Sequence, residues 1–419
     1  MRARLAGLAA ATLVLLGATG VIGWRVLRPT EVVTPAVTAL PTVAHPSPGS
    51  LGVLVSAPLI IDNRIRVFAK KREVWADGPA SYHYERSAYW AYRRWPAQVT
   101  GVLAMKADWP DEPDQPDRSL VVTAWTDGML VAIDAQSGTI TWRVEGGDAL
   151  ADRYGGRRTG AETMYTPPGL YSAGSTFITA AAGQLTARAA GSGDTLWTVP
   201  VPASPECLGE TFTTTAAQLL VHDTCAKTIA RLDLSNGQAL PPVPGDAVEP
   251  LSCSVGRSEC TAMRVTVAGA VTGWVFTDAS PVALTPLAAA GSLYNGQDVA
   301  VPSADSSSLW MVDTSGEVLW TWRPAAPAPF RLLAADRSRI LLLESDSTLV
   351  SLDPATGRFK SYASVLMEHE PDRPYDVNQW YVSGSYLVLE RTNPQVPPNA
   401  GDDAYYYTNR PILLASAGL

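Results

Sequence analysis

The residues with the clearest chemical potential are the four cysteines of the chain, Cys207, Cys225, Cys253 and Cys260. An even count points to disulfides, provided the chain lies in an oxidising compartment. Four cysteines allow three pairings, and closeness in sequence favours Cys207 with Cys225 and Cys253 with Cys260. Zinc is the competing reading. Against it, none of the spacings is Cys-x-x-Cys, and His222 is the only histidine nearby.

No nucleophile–base constellation emerges from the remaining candidates. His83, His222 and His369 fall in three separate parts of the chain, and His45 lies in a proline-rich stretch. Gly-x-Ser-x-Gly, P-loop and His-Glu-x-x-His motifs are absent. Gly155-Gly156-Arg157-Arg158 lacks the strand–loop–helix context of an anion site. The acidic run 108–118, DWPDEPDQPDR, has prolines that interrupt any calcium-ligand spacing, so it reads as a solvated loop. A glycosidase carboxylate pair is defined by distance in space, and nothing in the sequence selects one. The expectation is therefore no catalytic, cofactor-binding or metal residue.

Aromatic residues offer binding chemistry instead. In 81–95, SYHYERSAYWAYRRW, Tyr82, Tyr84, Trp90, Tyr92 and Trp95 alternate with Arg86, Arg93 and Arg94. A second group, Tyr405, Tyr406 and Tyr407, lies in a long loop near the C-terminus. One reading is a strand whose aromatics pack between sheets while the arginines face water. The other is a surface for protein or glycan stacking, contiguous if both groups share the unit that joins the termini.

The elements that must position these residues are short strands. Residues 119–145, SLVVTAWTDGMLVAIDAQSGTITWRVE, read as three of them, joined by an Asp127-Gly128 turn and an Asp134–Gly138 turn. Asp134 can cap its turn, and Gly138 can take the positive φ that closes it. Similar units surround Gly193, Gly237, Gly316 and Gly357. Leucine or isoleucine stands eight residues before Gly138, Gly193, Gly237 and Gly357. Asp134, Asp233 and Asp353 stand four residues before their glycines, and Trp142, Trp197 and Trp320 four after theirs. The glycines recur at roughly 40–55 residues, with one interval about twice as long that 273–284 fills, Asp278 marking a degenerate turn. A meander repeated at this period predicts an all-β fold, a β-propeller of four-stranded blades. Six turns are visible. With the two termini sharing one further blade, the expected count is about seven, and eight is the alternative. Thirteen Trp against six Phe suits repeats that each spend a tryptophan on packing.

The pattern Ala-x-Asp-x-x-x-Gly-x-x-x-Trp is complete at Ala132, Asp134, Gly138 and Trp142, and partial at Ala187, Gly193 and Trp197. It resembles the repeat of the PQQ-like (pyrroloquinoline-quinone-type) β-propellers, over roughly residues 100–370. The resemblance implies that Trp142, Trp197 and Trp320 pack between neighbouring blades. The family includes quinone-dependent dehydrogenases and non-enzymatic binding proteins, among them the propeller subunit of the outer-membrane assembly machinery. The vicinal cysteine pair of many quinone-dependent alcohol dehydrogenases is missing here. Fold alone does not decide function.

Residues 5–24, LAGLAAATLVLLGATGVIGW, carry no charge and are long enough to span a bilayer as a helix. Arg2 and Arg4 favour an N-inside orientation. No cleavage site of the Ala-x-Ala kind follows, so the segment reads as an uncleaved anchor. The expected organisation is a cytoplasmic stub and transmembrane anchor at 1–28, a proline-rich spacer at 29–50 and the propeller at 51–419. Net charge is −8, and the arginines flanking the apolar segment leave the remainder more acidic still, which disfavours nucleic acid. Arginine far outnumbers lysine and alanine is abundant, a bias of GC-rich actinobacterial genomes. The function expected is a membrane-anchored, extracytoplasmic, monomeric module, without cofactor, that binds or scaffolds an envelope protein, a peptide or a cell-wall component. The alternative is a PQQ-dependent dehydrogenase-like or glycan-active enzyme.

Overall fold

The structure, a computed structural model, describes residues 19, 30–107, 118–276, 281–325, 328–367, 370 and 374–418. The apolar segment 5–24, the acidic loop 108–117, Asp278 and His369 lie outside them, apart from Thr19. Among the described residues no helix is long and apolar enough to cross a membrane.

The described strands form eight antiparallel sheets. Blades two to seven are simple four-stranded meanders, at 99–145, 170–200, 208–244, 247–283, 293–322 and 330–364. First strands of neighbouring blades touch in series from blade two to blade five, and in pairs at blades six and seven and at eight and one. They therefore line one axis. Each sheet is covered on both faces by its neighbours. Its second strand is accordingly buried throughout in several blades, as at Ser119–Trp125, Ile340–Glu344 and Tyr386–Thr392. The outermost strands, such as Thr195–Pro200 and Phe359–Ser364, face water on most positions.

The blade count is eight, where the sequence favoured seven. The six turns seen in the sequence belong to blades two to seven, and each terminus builds most of a further blade. Blade one is Leu59–Ile61, Ile65–Lys70, Glu73–Asp77 and Trp90–Trp95. Blade eight takes three strands from the C-terminus, Asp376–Ser383, Tyr386–Thr392 and Ile412–Ser416. Its outermost strand is Gly49–Leu54, paired from Gly49 opposite Ser416 to Leu54 opposite Ile412. The ring is closed by that exchange.

Of the stretch 29–50, expected to be a spacer, the described residues 30–50 are laid along the ring. Thr30–Thr34 adds a fifth strand to blade one beside Trp90–Trp95. An extended proline-rich backbone leaves its carbonyls unpaired, and the ring supplies donors to them. Arg64 Nη1 donates to Pro41 O (3.3 Å) and Ser416 Oγ to Pro46 O (2.9 Å).

One contact recurs between blades. The indole N–H of Trp142 donates to Ala190 O (2.7 Å), that of Trp197 to Leu234 O (2.8 Å) and that of Trp320 to Pro354 O (2.8 Å). Each acceptor belongs to the third-turn loop of the next blade. The same ring lies against that loop's glycine. A Cβ on Gly193 or Gly237 would stand 2.9 Å from the indole of Trp142 or Trp197, and one on Gly357 2.6 Å from that of Trp320. The loop itself is held by its aspartate. Asp134 Oδ1 accepts from Ser137 N and Oγ (both 2.7 Å), and Asp353 Oδ1 from Thr356 N and Oγ1 (both 2.9 Å). Where Ala189 replaces the aspartate, the backbone bond Gly193 N to Ala189 O (2.8 Å) still closes the loop.

Gly193 (φ +76°) and Gly183 (φ +73°) share a left-handed backbone, but only Gly193 meets an indole; nothing lies within 4 Å of a Cβ at Gly183. Both alanine variants pay the conformational term of about 1–2 kcal/mol. Gly193→Ala is expected to lose a further ~1–3 kcal/mol through the forced contact with Trp142. Urea denaturation of the two variants measures the difference. Equal losses would show that the glycine serves the turn alone.

Candidate functional site

In a ring of meanders, the connections between blades and the turns between second and third strands emerge on one face. The longest loops of this protein gather there. The first is the insertion 146–169 between blades two and three. Gly156 (φ +77°) and Gly160 (φ +71°) bracket a 3-10 turn, Arg157–Thr159, and the short helix Ala161–Tyr165 follows. This insertion leaves its own blade and reaches across blade one to blade eight.

There it is clamped onto the loop 393–411. Arg157 Nη1 donates to Ala400 O (2.8 Å) and Asp402 Oδ1 (2.9 Å), and its guanidinium lies 3.9 Å from the centre of the Tyr405 ring. Arg158 Nη1 donates to Asp403 Oδ1 (2.9 Å), its backbone N–H to Asp402 Oδ2 (3.2 Å), and its guanidinium covers Tyr406. Beneath the clamp the helix packs into the main core. Met164 and Tyr165 are buried, Tyr165 stacks on Tyr381 at 5.4 Å, and its hydroxyl donates to Pro58 O (2.8 Å). Burial holds the Tyr165 hydroxyl well above the ordinary tyrosine range.

A second loop enters from the opposite face. Cys253 and Cys260 form a disulfide across the first turn of blade five. Within it Ser258 Oγ accepts from Ser172 N (2.9 Å), Val255 joins the main core, and Gly256 stands so close to Tyr165 O that a Cβ would lie 2.4 Å away. The two loops thus meet along the axis and fill it with side chains.

Glu390 lies at the base of the clamp, 2% exposed. Thr159 Oγ1 (2.5 Å) and the Tyr406 hydroxyl (3.4 Å) donate to its Oε1, and Asn378 Nδ2 (2.6 Å) to its Oε2. Burial raises its pKa, and these three hydrogen bonds and the charge of Arg157 pull against the rise. The sequence reading missed this residue. Its trace is a Glu-Arg pair ending the apolar run of Tyr386–Thr392.

The aromatic groups do not make one exposed patch. Trp90 and Tyr92 are fully buried, Tyr406 and Tyr407 nearly so. Trp90 is a further blade-joining tryptophan: its indole donates to Ala135 O (2.8 Å) and lies against Gly138. Tyr92 packs edge-on to Trp125, and Tyr407 against Tyr375. Tyr82 and Tyr405 are half-buried under Arg86 and Arg157. Tyr84 (59% exposed) and Trp95 (38%) remain accessible. The loop bearing Tyr82 and Tyr84 seals the seam of blades one and eight. The buried pair Arg66–Asp77 holds it, with Arg66 also donating to Tyr82 O (2.7 Å) and Tyr84 O (2.8 Å), and Glu85 accepts from Val55 N and Ser56 N.

Cys207 and Cys225 form the other disulfide. The one potential metal-ligating group among the described residues, Cys207, Asp223 and Cys225, has both sulfurs committed to that bond. His222 is buried with Nε2 3.1 Å from Gly245 O.

Residues 93–241, from the outer edge of blade one to blade four, match the PQQ-repeat family described as outer membrane protein assembly factor BamB. No curated protein sequence matches the chain. Among solved structures, BamB from Moraxella catarrhalis is similar at 14% identity, covering 89% of this chain and 99% of that one, with a TM-score of 0.45. The computationally designed Ika8 protein is similar at 12% identity over 88% and 99%, TM-score 0.44. U3-55K is similar at 13% over 76% and 95%, TM-score 0.39.

A carboxyl group whose folded pKa is raised binds its proton more tightly in the folded state than in the unfolded one. Its contribution is therefore unchanged below the ordinary glutamate range and turns unfavourable as pH rises from there through the raised value. Glu390→Gln, with the Asn378 amide turned to offer its oxygen, removes that dependence. The melting temperature of the variant relative to the wild type is expected to climb from about pH 4 upward and then level off. A constant offset would mean that Glu390 has no raised pKa.

Proposed function

Because the chain belongs to the PQQ-like β-propeller family, we propose that it is a non-catalytic protein-interaction module, anchored in the membrane by residues 5–24 with the propeller on the extracytoplasmic side. The observation that carries this reading is the filled axis. Met164 and Tyr165 occupy it as packed core with the partly buried Val255 against them, and what the ring offers to its surroundings is a rigid face of clamped loops. A pre-organised face spends little entropy on association. The family match supports the same reading, since its description is that of an assembly factor.

The location rests on two supports. Both cysteine pairs are disulfide-bonded, which suits an oxidising compartment. The charge-free apolar run suits a membrane span. The expected partner is an envelope protein, a peptide or a cell-wall component, met by a single copy of the ring.

Two measurements test the proposal. The full chain should stay in the membrane pellet after an alkaline wash, while a chain lacking residues 1–28 should not; release of both would remove the anchor. A photo-crosslinking residue at Asn399, exposed on the loop face, should yield a discrete adduct in cells, and one at Asn236, in a turn of the opposite face, should not. Adducts from neither position, or equally from both, would count against the loop face as the site of interaction.

A further inference from the structure

A cleft of about 750 Å³ opens on the loop face between blades seven and eight. Phe330, Leu366 and Met367 give it an apolar wall. Among the described residues, four carboxylates, Glu344, Asp346, Glu370 and Asp376, and two guanidiniums, Arg331 and Arg391, border it or lie at its floor. Both guanidiniums are already engaged. Arg391, fully buried, donates to both oxygens of Glu370 (2.7 and 2.6 Å), and Arg331 donates to Val377 O (2.6 Å).

Glu344 is the unexplained member. It ends the second strand of blade seven opposite Phe330, lines the cleft, and is 8% exposed. Among the described residues its carboxylate has no hydrogen-bond or ion-pair partner. Burial, with the charge of Asp346 added, raises its pKa. Most of its side chain is packed, but its carboxylate oxygens open into the cleft and hold an unpaired negative charge there. An apolar wall beside an uncompensated anion has the complement of an organic cation, whose stem covers the wall while its head meets the charge. A metal ion fits less well. The oxygens of these acids do not converge into a group of three within ligating reach, as the cysteine–aspartate group of blade four does.

We propose that this cleft binds an organic cation, an ammonium or guanidinium carried on an apolar stem, with Glu344 as its counter-ion. The cation has two possible sources, a free aliphatic amine or a lysine or arginine side chain of a partner. The second deepens the proposed function and rests on it, whereas the site itself does not.

Calorimetric titration of the purified propeller tests this with three probes: n-pentylamine, a short apolar peptide with one central lysine, and the same peptide with norleucine in place of lysine. The lysine peptide should bind at least tenfold more tightly than the norleucine peptide. Glu344→Gln should abolish that preference, and Asp346→Asn, on the exposed turn beside it, should reduce it. Glu317→Gln, an exposed acid in blade six, should leave it intact. Glu344→Gln removes a charge that packing and Asp346 both oppose and should melt no lower than wild type, so lost binding is not lost folding. Tighter binding of the lysine peptide than of pentylamine assigns the cation to a partner chain, and equal binding assigns it to a free amine. Equal affinity for the lysine and norleucine peptides, or full preference retained in Glu344→Gln, would overturn the site. Either failure alongside an Asn399 adduct would reject the cleft while leaving the interaction face standing.

Discussion

The structure depends on a small contact made by three groups: an indole, a glycine without a side chain, and the carbonyl beside it. A four-stranded sheet has two apolar faces and cannot shield either alone. Packing by apolar area is indifferent to small slides of one sheet over the next. The indole N–H, bonded at 2.7–2.8 Å in four joints of the ring, removes that freedom, because it finds its acceptor at one offset only. The glycine is what lets the ring approach. The aspartate, where present, fixes the loop so that carbonyl and glycine face the indole together.

Joints without this contact use other means, and these are largely charged. Between blades five and six, Arg264 donates to Leu287 O and Ala289 O. At blades seven and eight, Arg331 reaches Val377 O and Trp380 reaches Leu333 O. At eight and one, where the two chain ends meet, Arg66–Asp77 holds the sealing loop. Buried ion pairs add little net stability, but they penalise misplacement strongly, because a shift leaves a charge unpaired. The closing region also holds Arg391–Glu370 and the hydrogen-bonded Glu390. Apolar contact and indole clasps make most of the ring, and buried charge is concentrated where it must close correctly.

The repeats were legible because they are local. A turn glycine with an aspartate before it or a tryptophan four residues after it is visible within a dozen positions; it located five of blades two to seven, and the doubled interval located the sixth. Trp90 shows the limit of that approach. It makes the same contact as Trp142, but no repeat glycine precedes it, and its aromatic neighbours suggested a surface. The blade count failed for a related reason: the terminal blades carry no repeat turn, and one is completed by a strand from the far end of the chain. The loop face was less legible still. Gly155-Gly156-Arg157-Arg158 gains its role only from Asp402 and Asp403, residues without any periodic relation to it, and Glu344 is conspicuous only once its lack of a partner can be seen. Pairings of this kind are set by the closed ring, which no local pattern encodes.

Ring closure also imposes an order on biosynthesis. Gly49–Leu54 leaves the ribosome early, yet its hydrogen-bonding partner is Ile412–Ser416, the last of the described strands, and Ser416 bonds to a carbonyl 370 positions earlier. At about 5–20 residues per second, that partner follows some tens of seconds later. During this interval the early strand carries Leu51, Val53 and Leu54 with an unpaired edge, a form prone to intermolecular pairing. Blades two to seven can assemble as they emerge, since each needs only its predecessor. The native ring, by contrast, is available only once Ile412–Ser416 has been made, so a polypeptide stopped before that strand would keep seven blades' worth of sequence and lack the circle.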